Sequence, residues 1–305
     1  MKRIPPIFWT GKLSLPVKLL MNANGILACL NGSTKDIATM KDRVRLGYEG
    51  DITDSVKLYD ELGLENQLKS ARLQLEGLKV EGKEVLDIGA GTGALSLLLL
   101  KQGAKRVTCG DISEQMLNKC REKAKNMGFG EDRIDFRVLD AESLPFTENS
   151  YDVVVTGMSF GLFPDQPKAI KEMARVVRHG GSISVGAHGP EHYWEPMDAF
   201  IRSTNILYLL GYRPEFWPRT EIEVRNMMAE AGLSDIKSRR VIWRNNYASG
   251  GEAWDFFAAI SSSWQYSKYP REKRQADYQQ VRDYFNKNRK NIVTDDIILA
   301  YGRKA

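Results

Sequence analysis

The chain has 305 residues, 42% hydrophobic and 27% charged. That is an ordinary composition for a folded protein, with length for one large or two small domains. The net charge of +5 is local: Lys2, Arg3, Lys12, Lys18 and Lys35 lie in a stretch without Asp or Glu, so the remainder is neutral on balance. A neutral body argues against a nucleic-acid footprint. Cys29, Cys109 and Cys120 have no metal-ligand spacing; they suit a reducing, cytoplasmic setting without a disulfide framework or a metal.

Residues 1–52 read as a basic and apolar N-terminal segment and lid. Its apolar stretch, Leu13 to Leu30, is broken by Lys18, Asn22, Asn24 and Gly25. It is therefore a poor membrane span, and it lacks a secretory cleavage signature. Three readings stay open: a helix packed over the active site, an amphipathic helix touching a membrane, and a targeting segment. Apolar residues from Val56 to Leu75 recur at near-helical spacing and predict a helix over Thr53–Gly77 that carries Tyr59.

Strands and helices then alternate. Strands are expected near 83–88, 105–110, 133–138, 150–157, 181–187, 235–244 and 294–303, and helices near 92–102, 113–127, 165–178 and 219–232. Ser113 is the expected N-cap of the second of these helices, and Gly180-Gly181 is expected to end the third. Such alternation builds an α/β fold with a mostly parallel, doubly wound sheet.

The first strand ends in Gly89-Ala90-Gly91-Thr92-Gly93, and an apolar helical run follows at once. Glycines permit a sharp turn and let a ligand lie on the backbone, and a helix N-terminus offers free N–H groups. A nucleotide-type cofactor is expected. The dinucleotide fingerprint also fits Gly89-x-Gly91-x-x-Ala94 with Asp111 beyond it. Three carboxylates at strand ends favour S-adenosylmethionine (SAM) instead. Asp87 suits an ammonium group and would repel a pyrophosphate. Asp111 can accept both ribose hydroxyls. Asp140 can accept from an adenine amino group while the Ala141 N–H donates to the ring.

Residues 83–187 resemble the class I SAM-dependent methyltransferases, most of all the branch of the ubiquinone and menaquinone C-methyltransferases. The pieces that carry the resemblance are VLDIGAGTG, GDISEQML, LDAESLPF, YDVVVTGMSFGLFPD and VVRHGGSISV, in that order. They span about a third of the chain and bear on the cofactor, not the acceptor. The resemblance implies a Rossmann-like sheet of seven strands with the last antiparallel. It also implies a cofactor site drawn from Tyr59, Asp87, Gly89, Ala90, Gly91, Thr92, Gly93, Asp111, Ile112, Met116, Asp140, Ala141, Glu142, Gly157 and Met158. Ile112 would lie beside the adenine, Gly157 and Met158 would border the methyl group, and Tyr59 would cover the cofactor, with Tyr48 as its competitor.

Two segments, 188–218 and 246–291, interrupt the alternation and are expected to form a cap over the carboxyl ends of the strands. Residues 190–270 hold 15 of the 29 aromatic residues, among them Tyr193, Trp194, Phe200, Trp217, Trp243, Trp254, Phe256, Phe257 and Trp264. They read either as an apolar, ring-binding acceptor pocket or as the core of a small cap. His188 and His192 are the candidates for a catalytic base. Gly189-Pro190 between them breaks the helix that a metal pair would need, and His179 reads as a helix-end cation.

The expected division is thus 1–52, a SAM-binding core over 53–189, and cap insertions with the last strands over 190–305. The expected function is methyl transfer from SAM to an apolar or aromatic small molecule. Nucleic acid is not an expected partner, peripheral membrane contact is open, and no oligomeric state is implied. The alternatives are a protein or RNA methyltransferase and a non-catalytic binding protein of the same fold; catalytic loss would damage Asp87, Asp111 or the glycines, all of which are intact.

Overall fold

The computed structural model describes residues 12–30, 37–49, 54–203, 218–260 and 270–305. Lys2, Arg3, Lys35, Trp217 and Trp264 lie outside them. The chain divides into two compact units. One comprises residues 63–188, 219–241 and 297–305, the other residues 1–62, 189–218 and 242–296. The N-terminal segment thus clusters with the insertions rather than standing alone.

The strands are β1 (Glu84–Ile88), β2 (Arg106–Asp111), β3 (Ile134–Val138), β4 (Tyr151–Thr156), β5 (Val177–His188), β6 (Leu233–Asn246) and β7 (Ile292–Lys304), the last two running past the bounds of the first unit at residues 241 and 297. They form one seven-stranded sheet in the order β3-β2-β1-β4-β5-β7-β6. β1 to β5 pair in parallel, and β7 runs antiparallel to β5, with Ser184 opposite Tyr301. This is the doubly wound, Rossmann-like sheet expected.

The central strands of this unit are buried on both faces, so their residues alternate between two cores. Leu86, Ile88 and Val154 pack on one face with Ile170, Met173 and Met228. These come from helices α6 (Gln166–Val176) and α8 (Glu221–Glu230). Val85, Val153 and Val155 pack on the other with Leu75, Leu99 and Leu117. Those belong to α3 (Ser55–Leu75), α4 (Ala94–Lys101) and α5 (Glu114–Asn126). Caps set the helix starts: Ser113 accepts the Met116 amide, and Thr220 and Glu223 form a capping box.

One expectation is corrected. Gly180-Gly181 does not end a helix. α6 stops at Val176 and β5 begins at once, pairing Val177 with Tyr151. The register then jumps, so that Ser182 faces Val153. Gly180 takes φ 72° inside this bulge, and a Cβ on Gly181 would stand 2.7 Å from the Asp152 carbonyl oxygen. The glycines serve the bulge. His179 therefore sits in that bulge, its Nδ1 against the Ala305 terminus, and not at a helix end.

The second unit contains α1 (Leu15–Leu30), α2 (Ile37–Glu49), α7 (Trp194–Ser203), α9 (Gly250–Ile260) and α10 (Arg271–Lys287). Its core is aromatic. The Trp254 ring stacks on Phe200 at 5.5 Å and lies 5.4 Å from Phe285. Val17 and Met21 of α1 join the same cluster. Asp255 ties α9 to α10 through Arg282 at 3.0 Å.

Candidate cofactor site

Asp87 stands near the end of β1 and is 1% exposed. Its Oδ2 accepts the Ser96 hydroxyl at 2.6 Å from the first turn of α4. Its Oδ1 is buried with no partner. Burial pushes the carboxyl pKa up to about 7, against the lowering effect of the Ser96 bond. A buried acceptor left unpaired costs free energy that a cationic ligand can offset. The donor set therefore fits an ammonium group and not a phosphate.

Gly89, Gly91 and Gly93 have φ of 70°, 55° and 92°, all left-handed. The sequence gives these glycines two uses, a sharp turn and room for a ligand on the backbone. The structure shows that the protein itself requires two of them. A Cβ on Gly89 would stand 2.1 Å from Ser159 Oγ, and one on Gly93 2.5 Å from Cys120 Sγ. The turn is internally braced: the Gly89 and Ala90 amides donate to the Gly110 carbonyl at 2.7 and 3.0 Å, and the Gly93 amide donates to the Ala90 carbonyl at 3.0 Å. Thr92 is buried and accepts from Lys123 Nζ at 3.1 Å.

Asp111 ends β2. Its Oδ2 accepts the Gly91 amide at 2.8 Å and its Oδ1 the Ser113 amide at 2.9 Å. Burial raises its pKa, while these amides and that of Ile112 pull the other way. One carboxylate thus both braces the glycine turn and keeps a second lone pair on each oxygen for a diol. The Leu139 amide donates to the Asp111 carbonyl at 2.9 Å, which fastens Asp140 next door. Asp140 Oδ1 accepts the Glu142 amide at 2.9 Å, and Ala141 is buried beside it.

Two expected ligands have other occupations. Glu142 is buried, and its Oε1 accepts the Asp165 amide at 2.8 Å. It secures the start of α6. Met116 is buried as a core side chain inside the first turn of α5. Gly157 and Met158 open a short 3₁₀ turn, Met158–Leu162, directly after β4.

Both candidate histidines are buried. His188 ends β5 with its ring buried; a Cβ on Gly161 would stand 1.8 Å from its Nδ1. Burial pulls its pKa down to about 3, so it is neutral and a weak base at neutral pH. His192 belongs to the other unit. Its Nδ1 accepts the Asp296 amide at 3.1 Å, which assigns the ring proton to Nε2. In that tautomer Nε2 carries the proton and is a donor. Asp295 Oδ1 lies 4.0 Å away, and the Tyr193 ring 3.7 Å. Tyr59 is also in the second unit, edge-on to Tyr48 at 6.2 Å. Among the described residues no group of three His, Cys, Asp or Glu could hold a metal ion.

Sequence reasoning missed Ser96, Ser159, Lys123 and Gln74. Ser96 has a readable signal, a hydroxyl in the first turn after the glycines. The other three reach the site across 31 to 82 residues or through a clash with a missing Cβ, which no local pattern records.

A glycine turn between β1 and α4, with carboxylates at the ends of β1 and β2 and just past β3, defines a Rossmann-like cofactor-binding protein. The comparisons with known proteins name the family. A methyltransferase-domain model matches residues 86–185. A phosphatidylethanolamine N-methyltransferase of Cereibacter sphaeroides is 33% identical over 168 residues, 51% of this chain and 79% of that protein. The ubiquinone/menaquinone biosynthesis C-methyltransferase of Pseudoalteromonas translucida is 35% identical over 136 residues, 43% of this chain and 53% of that one. Mycobacterium tuberculosis proteins match at 30% over 159 residues; the chain spans 56% of their length. The solved YcgJ protein of Bacillus subtilis shares the fold at TM-score 0.53 and 21% identity, over 78% of this chain and 99% of that one. The chain belongs to the class I SAM-dependent methyltransferases, and SAM is the cofactor of this family.

Proposed function

We propose that this protein moves a methyl group from SAM to a small-molecule acceptor. The observation that carries the reading is Asp87 Oδ1, a buried carboxylate oxygen without a partner, on the same sheet as Asp111, whose two oxygens each accept one backbone amide. Asp87 holds the ammonium and carboxylate end with the Gly89–Gly93 turn. Asp111 holds the ribose diol with Ile112 beside the adenine. Asp140 and the Ala141 amide read the adenine edge. Gly157 and Met158 border the methyl group. When bound, SAM supplies an activated methyl on a sulfonium, which an acceptor displaces in line. The chain's task is then mainly to position, and a base is needed only if the acceptor must lose a proton as it attacks.

The acceptor reading rests on two supports. The second unit is dominated by aromatic packing, and two relatives carry names of a phospholipid and a quinone methyltransferase. An apolar small molecule suits both. A membrane surface is the partner we infer. On α1, Leu15 is 70%, Leu19 61% and Ile26 43% exposed, along one helical face, while Val17 and Met21 are buried opposite. With five basic and no acidic residues in the first 35, that face suits an anionic bilayer. No described helix is long and apolar enough to cross one.

The test is transfer of tritiated methyl from SAM into a metabolite and lipid extract, with mass identification of the product. SAM should bind by calorimetry and NAD should not. Absence of labelled small-molecule product, with label on protein or RNA instead, overturns the acceptor class. No SAM binding overturns the whole reading.

A further inference from the structure

Gln74, at the end of α3, is 1% exposed and lies against the sheet. Its Nε2 donates to the Thr156 carbonyl at 2.9 Å and to Ser184 Oγ at 3.1 Å. A backbone carbonyl can only accept, so this bond fixes which end of the carboxamide is nitrogen. The other end, Oε1, receives no donor from any described residue. It lies beside Gly157, the residue after Thr156, and Gly186, two residues after Ser184. A Cβ on Gly186 would stand 2.9 Å from Oε1, and one on Gly157 3.8 Å, an ordinary contact. The same Gly186 Cβ would stand 3.2 Å from the Gly157 carbonyl carbon. The chain thus omits a side chain at Gly186, where β4 and β5 meet, and one carboxamide occupies the seam.

The arrangement is held from several sides. Tyr301 donates its hydroxyl to the Gln74 carbonyl at 2.8 Å. Arg239 donates to the Leu73 carbonyl at 2.6 Å. Thr156 Oγ1 and Ser159 Oγ lie 3.0 Å apart, and Ser159 Oγ donates to the Ile88 carbonyl at 3.1 Å. Gln74 is therefore one end of a polar chain that runs through the end of β4 to the glycine turn after β1. A carbonyl oxygen that no described group donates to presents its negative dipole end to whatever occupies the space beside it.

We propose that Gln74 is a specificity-determining positioning residue, whose carboxamide holds the Gly157 peptide and turns its Oε1 dipole toward the cofactor's sulfur, so that the sulfonium of SAM is preferred to the neutral thioether of S-adenosylhomocysteine. The proposal rests on the reading that Gly157 borders the methyl group. It is tested by binding, without an acceptor. Calorimetry with SAM and with S-adenosylhomocysteine gives the ratio of the two dissociation constants for the wild type, Gln74→Leu and Gln74→Met. The two apolar variants should lower the preference for SAM about fivefold or more, the scale of one lost dipolar contact. They should leave S-adenosylhomocysteine affinity within about threefold. A residue that only packs would move both affinities together and leave the ratio alone. If either apolar variant that folds weakens both ligands equally, the proposal is overturned. If the wild type binds neither ligand, the proposed function itself has failed. Wild-type binding with an unmoved ratio sinks only the role of Gln74.

Discussion

The two units bury different things for different reasons. The sheet unit buries Asp87, Thr92, Ser96 and Gln74 among aliphatic side chains, and hydrogen bonds aim each of them. The second unit buries rings: Trp254, Phe256, Phe257 and Phe285 pack on one another. A polar group inside a protein is costly unless paired or kept for a ligand. The first pattern therefore marks a site that expects a polar, charged molecule. The second is stabilised by area and ring geometry. Polar chemistry can be read residue by residue in the sheet unit, whereas the other unit shows packing.

The strongest way to break that contrast is Trp254→Ala. It should destabilise the protein by about 3–5 kcal/mol, the usual cost of emptying a buried aromatic site. Measured by chemical unfolding, the loss should leave SAM affinity within about threefold at low temperature. Loss of SAM binding by folded variant protein would show that the aromatic core serves the cofactor.

Asp111→Ala comes next. It removes the acceptor for the Gly91 and Ser113 amides as well as for the ribose. SAM affinity should fall by about 1.5–3 kcal/mol by calorimetry. An unchanged affinity would remove Asp111 from the site.

A pH series sharpens the role of Asp87. Its folded pKa of about 7 lies above that of an unfolded carboxyl, about 3.9. In SAM-free protein the protonated form favours folding. That stabilisation is full below about pH 4 and is lost as pH rises through 7. Ligand binding runs the opposite way, because an ammonium prefers the carboxylate. SAM affinity should therefore drop by up to about tenfold per unit as pH falls below 7. Asp87→Asn should bind weakly at every pH and flatten the profile. The same slope in Asp87→Asn would assign the titration elsewhere.

The smallest effects concern the histidines. His192→Ala should retain turnover within about tenfold. His188→Ala should lower thermal stability more than turnover, because its ring fills the space beside Gly161. A fall of about 10²–10⁴ in kcat with intact SAM affinity, for either variant, would restore a base role.

The glycine turn, the strand-end carboxylates and the alternation of strands and helices were legible in the sequence because they are local. A strand, a left-handed turn and a helix start each obey short-range rules, and Ser113 capped its helix where expected. Even there, the reason for Gly89 and Gly93 was hidden. Their demand comes from Ser159 and Cys120, far along the chain, and not from a ligand alone. The bulge at Gly180-Gly181 was misread as a helix end for the same cause: both uses need a left-handed glycine, and only the register between β4 and β5 separates them. Gln74 looked like any polar residue at a helix end. Its meaning arises where β4, β5 and α3 meet, and the sequence does not record that meeting. The aromatic unit was the least legible of all. It is assembled from residues 1–62, 189–218 and 242–296, and no pattern within one segment says which rings of another will cover it. The sequence by itself determined the cofactor class, through residue types at the ends of adjacent strands. Tertiary structure alone decided which of those polar groups are already spent on the fold and which remain unpaired, because a hydrogen bond between distant residues is a fact of packing and not of order along the chain.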